Sequence, residues 1–156
     1  MGMKKFINDP NDLTKELLEG FAIACGDKIK IVSDKIVVRA EPKSPDKAAL
    51  VTLGGAGHEP ALSGFVGKGL LDASVVGDIF AAPGGPKVFE ALKMFNRPAG
   101  ILFIVLNHAG DVLNGNLAMK MADKEGIKYK MILTHEDIAP GADADENRLI
   151  AHLHQL

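Results

Sequence analysis

Three short apolar runs, Ala48 to Leu53, Ile101 to Leu106 and Tyr129 to Leu133, constrain this chain more than any other feature. Each has the length of a strand buried in a sheet and falls far short of the roughly 20 residues a membrane helix needs. The stretches between them read as helices. Pro86 suits a helix N-terminus, and Lys87 to Phe95 continues with helical spacing. Val112 to Glu125 reads as another helix, closed by Gly126. Buried strands that alternate with helices predict an α/β fold, a mixed, mostly parallel sheet flanked by helices. A chain of 156 residues fits one such domain, spanning residues 1–156.

The remaining segments are read in the same way. Asn8 to Asp12 is rich in N-cap residues, and Leu13, Leu17, Leu18 and Phe21 come after it at helical spacing, with Gly20 or Gly26 to end the helix. Lys28 to Val32 and Lys35 to Ala40 form a hairpin candidate around Ser33-Asp34. Gly54 to Pro60 is the sharpest turn signal. Gly64, Gly67 and Gly69 interrupt any helix beyond that turn, and Leu70 to Phe80 has room for a short one. Thr134 to Asn147 reads as a loop, and Arg148 to Leu156 as a short terminal helix.

Charge and cysteine narrow the function classes. The net charge of −2 leaves no global basic surface, and no basic cluster is interleaved with aromatics, so no nucleic-acid partner is expected. The lone Cys25 cannot form an internal disulfide and reads as a packing residue. With no secretory pattern and no membrane span, a cytoplasmic home is expected.

Two strand ends carry the candidate chemistry. In open α/β sheets ligands sit beyond the carboxyl ends of the strands. Leu53-Gly54-Gly55-Ala56-Gly57-His58-Glu59-Pro60 is one such end, and Asn107-His108-Ala109-Gly110-Asp111 is the other. If their strands are neighbours, both loops line one crevice. The glycines permit a tight turn and close approach of a ligand to backbone amides. The loop lacks Gly-Lys-Ser/Thr, so it is no Walker loop, and Gly64 comes too late for a dinucleotide fingerprint. His58 suits a sugar hydroxyl, or it ties the loop together. Asp111 can take the proton of an attacking hydroxyl during phosphoryl transfer, or it caps the helix starting near Val112. Glu59 suits a helix N-terminus, and Asp78 either faces the crevice or caps a turn. His135-Glu136-Asp137 shows no third spaced ligand, and His152 with His154 lies at the chain end, so no metal site is expected.

Four motifs together resemble the dihydroxyacetone kinases and their substrate-binding subunit. They are Lys4-Lys5-Phe6-Ile7-Asn8-Asp9-Pro10, Gly54 to Pro60, Gly77-Asp78-Ile79-Phe80 with Ala81-Ala82-Pro83, and Asn107 to Asp111. They run in the family's order from Lys4 to about Pro140. The resemblance implies phosphorylation of a short ketose on its terminal hydroxyl. It implies that Gly55, Ala56, Gly57 and His58 contact the sugar, that His58 also serves acid–base chemistry, and that Asp111 adjoins the reacting hydroxyl. It further implies a covalent histidine in a later domain. The phosphoryl donor, ATP with Mg or a phosphoprotein, is expected on a separate helical domain or subunit, with no cofactor in this chain.

The sequence also departs from the family pattern. Ala56 stands where the family often has Ser, and Leu106-Asn107-His108-Ala109 stands where it often has Lys-Asn-Tyr-Thr. These changes leave room for erythrulose beside dihydroxyacetone. The family continues for roughly as long again, so the chain is expected to be inactive alone, to self-associate and to bind a ketose reversibly without a stable adduct. Two other readings remain open: a non-catalytic ketose sensor or coactivator, and an inactive fragment.

Overall fold

A computed structural model describes residues 4–135. The readings placed on Glu136, Asp137, His152, His154 and the terminal helix Arg148 to Leu156 lie outside the described residues. Helix α1 (Leu13–Cys25) is followed by β1 (Ile29–Val32), β2 (Ile36–Arg39) and β3 (Ala49–Ala56). A short 3-10 turn (Ser63–Phe65) leads to β4 (Ala73–Ile79), α2 (Gly85–Met94), β5 (Ile101–Val105), α3 (Ala109–Lys124) and β6 (Tyr129–Leu133).

The six strands form one sheet in the order β1-β2-β4-β3-β5-β6. The pairs β3–β4, β3–β5 and β5–β6 are parallel, while β1–β2 and β2–β4 are antiparallel. The expected mixed, mostly parallel sheet is what forms. The hairpin forms as well: Val32 pairs with Ile36, and Ser33 and Asp34 adopt φ values of 49° and 64° between them. Positive φ at such positions matches the right-handed twist of the flanking strands.

Each face of the sheet carries its own core. On one face α2 and α3 bury Val88, Ala91, Leu92, Ala118 and Ala122 against Val51, Leu53, Val75, Phe103 and Val105. On the other, Leu18 of α1 packs with Ile29, Val37, Ala56, Val66, Leu71 and Val76. Cys25, partly buried, packs at the edge of this second cluster. Apolar burial on both faces drives the assembly and explains the unbroken apolar runs in the central strands.

Three local readings need correction. Leu70 to Phe80 holds no helix: Ala73–Ile79 is strand β4, paired with β3 on one side and β2 on the other. Small residues hide its alternation, and burial between two ladders outweighs local preference. Strand β3 runs on through Gly54 and Gly55 to Ala56, past a bulge, so the turn begins only at Gly57. Helix α3 starts at Ala109 rather than near Val112, with His108 as its N-cap. Asp111 therefore sits inside the first turn and is not the cap.

Candidate functional site

The chain leaves β3 and β5, adjacent parallel strands, toward opposite faces of the sheet. The segment after β3 joins the α1 side through Val66 and Leu71, whereas α3 after β5 packs on the other side. Such a divergence opens a crevice at the carboxyl ends of the two strands. Both motif loops meet there. Gly54, Gly55, His58, Leu62, Leu106, His108 and Asp111 line a recess of about 310 Å³. Gly55, His58, Phe80, His108 and Asp111 line a second, of about 690 Å³. Both volumes include solvent at the mouth, and the shared residues make them two lobes of one crevice.

The loop around the crevice is held by its backbone. A Cβ on Gly55 would stand 2.8 Å from the Ala81 nitrogen, so only glycine lets β3 pass under the loop after β4. Gly57, at φ 93°, turns the chain, and its N–H donates to the Glu59 carboxylate at 3.0 Å. Glu59 thus pins this turn and does not cap a helix. Asp78 points away from the crevice. Its side chain is 73% exposed and pairs with Lys35, while its carbonyl accepts the Ala81 N–H.

Asp111 is the most unusual side chain in the site. It is 6% exposed, and its Oδ1 has no hydrogen-bond partner among the described residues. Burial pushes its carboxyl up to about 6, from an ordinary value of 3.8. Desolvation penalises the charged form, and no cation among the described residues offsets it. A carboxylate of this kind is a stronger base than an ordinary aspartate and is still ionised at neutral pH.

Of the residues named from the sequence, Gly55, His58 and Asp111 line the crevice. Ala56 is fully buried in the core beside α1, because successive strand residues face opposite sides. Gly57 lies behind His58, its amide engaged by Glu59. Three further contributors carry no role in the sequence reading. His108 and Phe80 line the crevice. Asn114 braces its mouth, accepting from Gly85 N at 2.9 Å and donating to the Gly110 carbonyl at 3.0 Å. The signal for Asn114 is its place one turn beyond Gly110 on the same helix face. Next to the crevice, Asn107 Nδ2 approaches His135 Nδ1 at 3.4 Å. Among the described residues no group of His, Cys, Asp and Glu is placed to hold a metal ion. No helix among them is long and apolar enough to cross a membrane.

Fold and crevice together define an α/β domain with a crevice, lined by His58, His108 and Asp111, at the point where two parallel strands send their chains apart. The chain belongs to the Dak1 domain family, which matches residues 19–151. It is 46% identical over 140 residues to the dihydroxyacetone-binding subunit DhaK of the PTS-dependent dihydroxyacetone kinase of Lactococcus lactis, covering 89% of this chain and 42% of that protein. It is 38% identical over 144 residues to a D-erythrulose kinase of Mycolicibacterium smegmatis, covering 92% of this chain and 25% of that enzyme. The dihydroxyacetone kinase of C. freundii, solved with AMP-PNP and Mg2+, superposes with a TM-score of 0.81 at 36% identity over 88% of this chain and 26% of its own. The dihydroxyacetone kinase operon co-activator DhaQ superposes at 0.75 with 30% identity over 80% of this chain and 38% of its own. The chain therefore spans about two-fifths of the L. lactis subunit and a quarter of the longer kinases.

Proposed function

We propose that this chain is the ketose-holding portion of a dihydroxyacetone kinase and positions a short ketose for phosphorylation of its terminal hydroxyl. The observation that carries this reading is the convergence of His58 and the buried Asp111 on one crevice between β3 and β5. The backbone at Gly55 lets the ligand approach closely. His58 exchanges a hydrogen bond with a ketose oxygen. Asp111 accepts the proton of the attacking hydroxyl as the phosphoryl group arrives, and its raised pKa suits that work near neutral pH. The phosphoryl donor, ATP with Mg or a phosphoprotein, comes on a separate domain or subunit in this scheme. A cytoplasmic setting belongs to the same reading.

Titration of the labelled chain with dihydroxyacetone and with erythrulose tests the proposal, with glycerol as control. Shifts confined to residues around Gly55, His58 and Asp111 are expected for both ketoses and not for glycerol. Shifts scattered over the surface, or none, would remove the ketose site. Self-association is part of the proposal, since Ile23 at 86% and Leu113 at 70% exposure leave apolar surface in water. A clean monomer in sedimentation at high concentration would remove that part.

The likeness to the co-activator supports a second reading, a non-catalytic ketose-binding protein with the same crevice. Adding a helical nucleotide-binding subunit with ATP separates the two. Ketose phosphate forms only if this chain serves a kinase.

A further inference from the structure

Phe80 carries two costs that core packing does not explain. It is 66% exposed, and its backbone sits at φ 55°, a region that bulky side chains rarely adopt. The chain fixes this conformation from both sides. Phe80 N donates to the Ala56 carbonyl at 2.8 Å, and Ala81 N donates to the Asp78 carbonyl at 3.0 Å. A turn that asked only for positive φ would take glycine or asparagine, and a residue that served only the core would be covered. Phe80 does neither.

The result of that backbone is where the ring goes. It lies against Gly57, where a Cβ would stand 3.0 Å from Phe80 Cε1, so glycine keeps the space open. There it meets the His58 imidazole edge to face, with ring centroids 5.1 Å apart and planes inclined at 74°. The same ring lines the larger lobe of the crevice, together with Asp111 and His108.

We propose that Phe80 is a positioning residue that holds the His58 imidazole in the orientation a ketose oxygen meets. An imidazole on a turn has several staggered rotamers open to it. An aromatic neighbour packed edge to face favours one of them and keeps water off that side of the ring. A binding group held this way loses less freedom when the ligand arrives. The inference rests on the proposed ketose site, and its test separates the two.

The test compares wild type with Phe80→Ala, Phe80→Leu and Phe80→Tyr by NMR of the histidine side chains, assigning His58 with His108→Gln. Without ligand, the wild-type His58 ring protons should be displaced by the Phe80 ring current. Phe80→Ala should abolish the displacement and Phe80→Tyr restore it. Dihydroxyacetone affinity should fall about fivefold in Phe80→Ala and recover in Phe80→Tyr. If Phe80→Ala does not fold, Phe80→Leu keeps apolar bulk without a ring current and gives the same comparison. His58 shifts that are equal in wild type and Phe80→Leu would overturn the positioning role, as would an affinity loss that Phe80→Tyr fails to repair. A wild-type protein that shows the ring current but no response to either ketose would instead overturn the proposed ketose site. The apo contact would then stand without the role inferred from it.

Discussion

Gly77 lies so close beneath Ala81 that a Cβ on Gly77 would stand 1.9 Å from the Ala81 carbonyl oxygen and 2.7 Å from the Pro83 nitrogen. The loop after β4 folds back over its own strand at this point, and that return carries Phe80 and Ala81 to the crevice. Neither contact can give way cheaply, because both are backbone. Gly77→Ala should destabilise the protein by about 3 kcal/mol and displace the loop. Thermal unfolding checks the first effect, and ketose titration checks the second. A melting temperature within error of wild type would mean that the loop is free to lift.

Asp72 lies away from the crevice, at the start of β4, and is 1% exposed. It accepts from Arg39 and from Lys43, each at 3.1 Å, and from the Leu50 N–H at 2.8 Å. These contacts join the antiparallel hairpin to the parallel part of the sheet. Removing the carboxylate takes an acceptor from the largely buried Arg39 and from the part-buried Leu50 amide, and leaves Lys43 only the Ala48 carbonyl. Asp72→Ala should cost about 3–5 kcal/mol, and Asp72→Asn should cost less because its amide oxygen still accepts from Leu50. Denaturant titrations that rank the two variants equally would refute the role given to the Leu50 contact.

The raised pKa of Asp111 sets a pH dependence. The folded protein binds this proton more tightly than the unfolded chain does. The stability tied to that proton is fully present below pH 3.8 and is lost as the pH rises through about 6. Asp111→Asn stays neutral and should escape the loss. After allowance for partial solvent screening, the variant should gain about 1–2 kcal/mol over wild type at pH 8 and almost nothing at pH 4. Chemical denaturation at the two pH values decides this; an equal gain at both would show that burial does not govern the proton. In an assembled kinase the same variant should bind ketose while losing turnover by about 10²–10⁴-fold.

Asp34 occupies the left-handed region at φ 64°, beside Ser33 at φ 49°. Ser33 is engaged, since its hydroxyl donates to Glu90 and its carbonyl accepts from Lys87 at 3.2 Å. Asp34 is therefore the position to relax. Asp34→Gly should stabilise the hairpin by about 0.5–1 kcal/mol, read from the midpoint of urea unfolding. A lower midpoint would show that glycine's freedom in the unfolded chain outweighs the relief of the turn.

The amino-acid order makes some of these elements plain and hides others for physical reasons. The run that forms β5 is legible because it lies inside the sheet, where burial demands continuous apolar residues; β6, expected to be buried, is instead the edge strand, with Lys130 and Ile132 exposed. Strand β4 is not legible, because Ala73-Ser74-Val75-Val76-Gly77 has small residues on both faces and shows no period. The crevice is legible as two glycine-bearing strand ends, but only the pairing of β3 with β5 brings them together. Asp111 resembles a cap because nothing in Ala109-Gly110 announces a helix start. Ala56 resembles a ligand contact as long as the loop is taken to begin at Gly54; the extra strand residues turn its methyl into the core. No local signal marks Phe80 as strained, since its turn is held by the hydrogen bond to the Ala56 carbonyl on another strand and by the Ala81–Asp78 bond beside it.

Because the crevice opens where the chains leaving two adjacent parallel strands part toward opposite faces, its floor belongs to the sheet and its walls to separate connections. The backbone hydrogen bonds that pair β3 with β5 keep that floor fixed. The walls come from the segment after β3, the loop after β4 and the start of α3. A change in one wall therefore leaves the floor and the other walls in register, and the crevice can be reshaped piece by piece.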